Sequence, residues 1–394
     1  MITQMKIFCD WSMRITVIVL TMVLGFLDGY VPPCGAAPQA PARVSILRSG
    51  TDVNVSFDTL AGQTYGVERS DTLAAQSWST VSSNLAGNGT IQVVTDTGGA
   101  GAQTRFYRVR YQVITPPAPA GFALIPSGSF LMGDVIGGGY STELPVHSVY
   151  VSAFYMEQKL VTKAQWEEVY TWAYQHGYRF DFPYQWYGRA ADHPILQVDW
   201  YDCVKWCNAR SEKDGFVPCY TLNGDTFKTV TTSGIPVCDF GASGYRLPTE
   251  AEWEKAARGG AGGQRFPWGN TISRSQANYY GRTADYIYDQ GPNGFNPTYY
   301  TGVSPYKYTS PGGAFPANGY GLYDMSGNLC QWCWDWDGSY VSEDQNDPTG
   351  PSSGTHRIRR GSSYGTSAII CRVSCRNSSV TNSLGDTGLR CVRR

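Results

Sequence analysis

Residues 370–377, ICRVSCRN, place Cys371 and Cys375 four positions apart, each followed by an arginine. Thiolates are nucleophiles and ligands for soft metals, so the pair raises a redox or copper reading. On a strand, positions i and i+4 share a face but lie about 13 Å apart, too far for one metal. In a loop or a helical turn they could converge. Cys330-Gln331-Trp332-Cys333 has the spacing of a redox pair or of half a zinc site. No second C-x-x-C follows it, and no base is evident nearby. Cys203 and Cys207 lie one helical turn apart and share a face with Trp200, the pattern of core thiols. Cys219 and Cys238 flank a hairpin-like stretch whose ends could meet, and a disulfide there is worth up to about 3 kcal/mol in the chain-entropy model. The histidines, His147, His176, His193 and His356, show no metal-ligating spacing, and neither Gly-x-Ser-x-Gly nor a P-loop is present.

Three helices can be placed around these residues by their caps. Thr162 precedes KAQWEEVYTWAY with Gln165 three residues on, a capping box whose helix carries an apolar stripe of Trp166, Val169, Tyr170 and Ala173. Asp199 opens a second helix that runs to Gly215, through Cys203 and Cys207. Thr249 and Glu252 box a third, which Gly259 closes. Beyond residue 260 the chain reads as aromatic-rich loops with only short strand candidates. So long a stretch without elements of its own is normally functional or bound to something.

Upstream the texture differs. Alternating runs at 53–57, 65–70, 90–94 and 106–113, separated by Gly-rich turns, predict a small β-sandwich over residues 41–115. No His, Cys or acidic cluster lies in it, which suits a spacer or adhesive module. Residues 116–120 form a proline-rich linker, and the larger domain follows at 121–394. Residues 1–40 read as a signal peptide and leader. The apolar run at 15–27, ITVIVLTMVLGFL, follows Lys6 and Arg14, is short for a bilayer span, and is trailed by small residues. Met13 makes a tidier start than Met1. The expectation is export to a periplasmic, cell-surface or extracellular location, where some thiols should pair. A net charge of −1 and the lack of any basic block argue against nucleic acid as a partner. No transmembrane segment is expected beyond the signal run.

Across the larger domain, FALIPSGSFLMGD (122–134), ELPVHSVYVSAFYMEQKLVTKAQWEEV (143–169), GYRLPTEAEWEKAARGG (244–260), NGYGLYDMSGNLCQWCWDW (318–336), RRGSSY (359–364) and GLRC (388–391) occur in order. Together they resemble the formylglycine-generating enzyme, or sulfatase-modifying factor, family over about 275 residues. The resemblance implies an α+β, loop-rich variant of the C-type-lectin fold with bound calcium. Active members oxidise a sulfatase cysteine with copper and O2 through two thiolates that follow a serine motif, because Cu(I) favours two-coordinate sulfur.

Counted from Ser363, the first of those sulfurs falls on Thr366 and the second on Cys371. Counted back from GLRC, the Arg372 and Arg376 pattern arrives about three residues early, which makes Cys371 structural. Either register leaves at most one sulfur of the pair, with Cys375 as a weak substitute. The resemblance further implies a calcium site at Asp324, Gly327, Leu329 and Gln331, all oxygen donors as a hard cation requires. A second would use Asn278 and the Tyr279 carbonyl, with later ligands near residues 293–295. The leading expectation is an exported module that binds a protein, peptide or glycan ligand. The alternatives are a copper oxidase acting on sulfatases through an altered cysteine site, and a surface adhesion protein.

Overall fold

The computed structural model describes residues 43–59, 63–74, 77–102, 104–113, 118–181, 188–229, 234–299 and 308–394, with the short strands Ile7–Phe8, Val17–Ile18 and Met22–Val23. Apart from the last two strands, the expected export segment at 15–27 lies outside the described residues. The chain divides into two compact units, Met1–Pro117 and Ala118–Arg394.

In the first unit, Val44–Ser49, Asp52–Asp58 and Ile91–Asp96 make one sheet, and Met22–Val23, Phe106–Val113, Gln63–Ser70 and Ser79–Ala86 make another. Along Asp52–Asp58 every second residue is buried, and Val53, Val55 and Phe57 join Tyr65, Val67 and Val109 in one apolar cluster. That is the period-two pattern the sequence displays. Val44–Ser49 and Ser79–Ala86 were not expected; both are edge strands whose side chains are exposed or only half-buried.

The second unit is loop-rich α+β, with three α-helices among the described residues. Helix α1, Lys163–Gln175, starts at the Thr162/Gln165 capping box, and α2, Trp200–Lys213, starts where the Asp199 side chain accepts the Asp202 N–H. Helix α3, Glu250–Ala257, starts at the Thr249/Glu252 box, and Gly259 beyond it takes a left-handed φ of +59°. α1 and α2 pack through Trp166 and Trp206, whose rings stack 5.5 Å apart. The apolar stripe of each thereby meets the other in one core.

Short strands complete the unit. The sheet that matters most runs Asn377–Ser379, Arg357–Arg360, Cys330–Trp336, Thr387–Gly388. Cys330–Trp336 is buried along nearly its whole length, so it shows no alternation that would mark it as a strand. Two indoles tie it to α2 and its approach: Trp200 Nε1 donates to Cys333 O and Trp332 Nε1 to Val198 O, each at 2.9 Å.

The segment after Ser363 is neither strand nor helix. Cys371 N–H donates to Ala368 O at 3.1 Å and Cys375 N–H to Arg372 O at 3.0 Å, giving two successive turns. What anchors it is the arginines. Arg372 Nη1 reaches Glu143 Oε2 at 2.6 Å, and Arg376 holds both oxygens of Glu250 at 2.7 and 2.8 Å. Arg360 adds its Nη1 to the Ser374 and Cys375 carbonyls, each at 2.8 Å, and pairs with the fully buried Glu254. Buried charges are tolerable when paired and hydrogen-bonded in this way.

The structure departs from the expected Cys219–Cys238 bridge. Both are free thiols, as are the other seven cysteines between 203 and 391. The hairpin register sets Cys238 opposite Tyr220, one residue out of step with Cys219. A closer pair escaped the sequence reading: Cys207 on α2 lies 3.7 Å, sulfur to sulfur, from Cys391 near the C-terminus.

Candidate functional site

A cleft of about 290 Å³ opens beside the serine motif. The strand Arg357–Arg360 delivers Arg359 to its wall, then turns through Gly361 and Ser362, both at positive φ, to present Ser363 and Thr366. The start of Cys330–Trp336 supplies Cys330 to the lining, and Asn377 and Asp386 complete its polar side.

The chemistry of each group is set by its partners. The Thr366 hydroxyl donates to Ser363 O at 2.9 Å and accepts Ser363 N–H at 3.1 Å, so it closes the turn on which both residues sit. Asp386 accepts the Tyr364 hydroxyl at 2.6 Å, and Arg359 Nη1 donates to Thr387 Oγ1 at 3.0 Å. Cys330 is the one cysteine among the residues that line the cleft, and burial pushes its thiol up to about 11, with Arg359 pulling the other way. Among the described residues that line the cleft there is no histidine to serve as a base. The arrangement offers hydrogen bonds and one charge of each sign, and no activated nucleophile.

The expected catalytic residues do not assemble there. Ser363 reaches the cleft, but Cys371 and Cys375 do not line it. The Cys371 sulfur accepts the Ser362 hydroxyl at 3.0 Å, and its carbonyl accepts the Ser326 hydroxyl at 2.7 Å. Burial pushes the Cys371 and Cys375 thiols each up to about 12. A Cu(I) centre needs two thiolates opposed across one metal, and this cleft wall brings a single sulfur from a different strand. The donor set does not fit copper. Asp386 was missed by the sequence reading, Cys330 was weighed only as half of a C-x-x-C, and Arg359 and Asn377 stood in quoted motifs without a role. The only signal for Asp386 was its place two residues before GLRC.

The calcium residues also read differently in three dimensions. Gln331 is fully buried, and its side-chain oxygen accepts Trp253 Nε1 at 2.9 Å and Arg390 Nε at 3.0 Å. Indole and guanidinium nitrogens only donate, so both lone pairs of that oxygen are committed. The Gln331 amide nitrogen donates to Asp324 O at 3.0 Å, a bond that a carboxylate could not make. Asp324 accepts the Gly313 N–H at 2.9 Å, while burial raises its pKa. Gly327 holds φ +81° with its Cα packed on the Asn278 carbonyl, and Leu329 is fully buried. A four-oxygen calcium set therefore fails at Gln331.

At the second location, Asn278 Nδ2 donates to Tyr308 O at 2.7 Å and the Asn278 carbonyl accepts the Asn328 N–H at 2.8 Å, while the Tyr279 hydroxyl, not the expected carbonyl ligand, bonds Asp289 at 2.5 Å. Asn293 Oδ1 accepts Thr283 N–H at 2.7 Å. These groups tie the loop to itself. Among the described residues one cluster of three ligating groups exists, Asp181, Asp199 and Asp202. It already encloses a cation, since Lys205 Nζ lies 3.1 Å from Asp181 and 2.7 Å from Asp202.

Residues 113–394 match the family described as the sulfatase-modifying factor enzyme 1-like domain. Chaperone protein LppX of Paenibacillus barcinonensis is 32% identical over 276 residues, 66% of this chain and 88% of that protein. Formylglycine-generating enzyme of Streptomyces coelicolor is 31% identical over 300 residues, covering 70% of this chain and 90% of the enzyme. Among solved structures, Treponema denticola variable protein 1 superimposes with a TM-score of 0.53 at 26% identity, over 69% of this chain and 94% of that one.

Proposed function

This chain belongs to the sulfatase-modifying factor enzyme 1-like domain family, and we propose that its larger unit is a binding module on that frame, not a copper-dependent cysteine oxidase. One observation carries the reading. Where the oxidase pair would face the cleft, Thr366 spends its hydroxyl on the Ser363 turn and Cys371 turns its sulfur to Ser362. The relatives' names, a chaperone protein and a formylglycine-generating enzyme, fit a frame that hosts unlike activities.

The cleft suits a polar segment of a protein, peptide or glycan partner. Arg359, Asp386, Asn377 and Ser363 supply fixed donors and acceptors around a volume of about 290 Å³. Export to the periplasm, cell surface or exterior rests on the apolar run at 15–27. The first unit we read as a β-sandwich spacer or adhesive module.

A second reading, an oxidase with an altered cysteine site, draws on Cys330, the sulfur that does line the cleft. Titrating the reduced full chain with Cu(I) against a competing chelator separates the two. The binding-module reading expects no stoichiometric copper and no change in Cys371→Ser. Stoichiometric copper lost in Cys371→Ser or Cys330→Ser, with turnover of a cysteine-containing sulfatase peptide, would overturn it.

A further inference from the structure

We infer that the larger unit carries a second ligand site, sharing no lining residue with the cleft, that takes a small neutral polyhydroxylated molecule of the saccharide class. The site is a bowl of about 500 Å³ at the N-terminus of α3. Its lining includes His147, Glu250, Asp335 and Arg376, only 4, 4, 4 and 9% exposed. Four ionisable side chains held along one cavity wall are costly unless their charges are matched.

They are matched here. Arg376 cancels Glu250 through two hydrogen bonds of 2.7 and 2.8 Å. Asp335 accepts the Glu250 N–H at 2.8 Å, and burial, with Glu250 close by, pushes its carboxyl up to about 8. Near neutral pH it is therefore mostly protonated and offers an O–H donor. His147 Nδ1 lies 3.1 Å from Pro145 O. A carbonyl only accepts, so Nδ1 carries a proton and donates it there.

With Glu250 and Arg376 cancelling and Asp335 mostly protonated, these three groups add no net charge to the floor, yet they can both donate and accept. An ionic ligand would lose its hydration there without a counter-charge to replace it. Hydroxyl groups, which donate and accept at once, match it. Trp336 and Tyr340 add ring surface to the lining, and Ser339, Gln345, Asn346 and Thr349 add further hydroxyls and amides. The volume gives room for a monosaccharide or disaccharide.

The test is saturation-transfer NMR on the full chain, using the methyl glycosides of glucose, galactose, mannose and N-acetylglucosamine at millimolar concentration. Methylammonium and acetate serve as charged comparators. The expected result is transfer to at least one glycoside and to neither ion. Ser339→Trp, at an exposed rim position, should abolish it, and Ile370→Trp, in the cleft wall, should leave it intact. Asn346→Trp, at another exposed rim position, is an independent plug should Ser339→Trp fail to fold. Silence from all four glycosides, equal transfer to an ion, or transfer that the rim plugs leave unchanged would overturn the inference. Loss of transfer in Ile370→Trp alone would move the sugar to the cleft and overturn it too.

Discussion

Alkylation of the cysteines tests the central geometry directly, because an oxidase pair and a buried structural thiol should react in opposite orders. Burial pushes Cys330 up to about 11 and Cys371 up to about 12. At any pH well below both, Cys330 then holds about tenfold more thiolate. The more basic sulfur of Cys371 recovers about threefold of that in intrinsic nucleophilicity. The titration difference alone therefore leaves Cys330 about threefold ahead. Access widens the gap, since Cys330 is 8% exposed at the cleft and Cys371 is 1% exposed with a hydroxyl on its sulfur. A time course with iodoacetamide at pH 8, read by mass spectrometry of tryptic peptides, should show the 308–357 peptide labelling well before the 361–372 and 373–376 peptides that carry Cys371 and Cys375. The first peptide also contains the fully buried Cys333, so Cys330→Ser must remove its early label. If Cys371 reacts first, or keeps pace with Cys330, its sulfur is accessible and ionised and the binding-module argument fails.

Glu254 receives Arg258 Nη2 at 2.6 Å and Gly133 N–H at 2.9 Å, besides pairing with the fully buried Arg360. Glu254→Ala strands that guanidinium and should cost about 3–5 kcal/mol in urea unfolding followed by tryptophan fluorescence; a loss below about 1 kcal/mol would show that the pair is not the anchor described. Gly327→Ala should destabilise by at least about 1–2 kcal/mol, since the left-handed φ is costly for alanine and its Cβ would lie 2.5 Å from Asn278 O. An unchanged melting curve would contradict this. Asp335 titrates near the usual 3.9 when unfolded and at about 8 when folded, so the native state binds the extra proton in between. Its contribution is fully present below the unfolded value and is lost as pH rises through the folded one. Asp335→Asn should therefore flatten the decline in unfolding free energy between pH 5 and 8, and equal slopes for the two proteins would rule out this assignment.

Local chemistry was legible from the chain. Thr162, Asp199 and Thr249 cap α1, α2 and α3 where their spacing to Gln165, the following helix and Glu252 indicates. Asp52–Asp58 shows its alternation, and the family motifs stand in order. These signals live within a few residues of each other, where period and capping operate. Cys330–Trp336 was not legible, because a strand buried on both sides loses the alternation that identifies it.

The site was legible only in part. That Thr366 stands third after Ser363, where the resemblance expects a sulfur, is legible in the sequence. Which way Cys371 faces is not, because the answer depends on Ser362 and Ser326 closing over it. The calcium set looked intact as an inventory of oxygens, yet the Gln331 oxygen is engaged by Trp253 and Arg390, 78 and 59 positions away. ICRVSCRN drew attention for its cysteines, but its arginines hold it, through Glu143 and Glu250 at separations of 229 and 126 residues. By itself the sequence determined the helices, the alternating strands and the family, since each is written in residue types at short spacing. Only the tertiary structure decided which thiol faces the cleft and which oxygens are still free, because hydrogen-bond capacity is finite and distant parts of the chain compete for it.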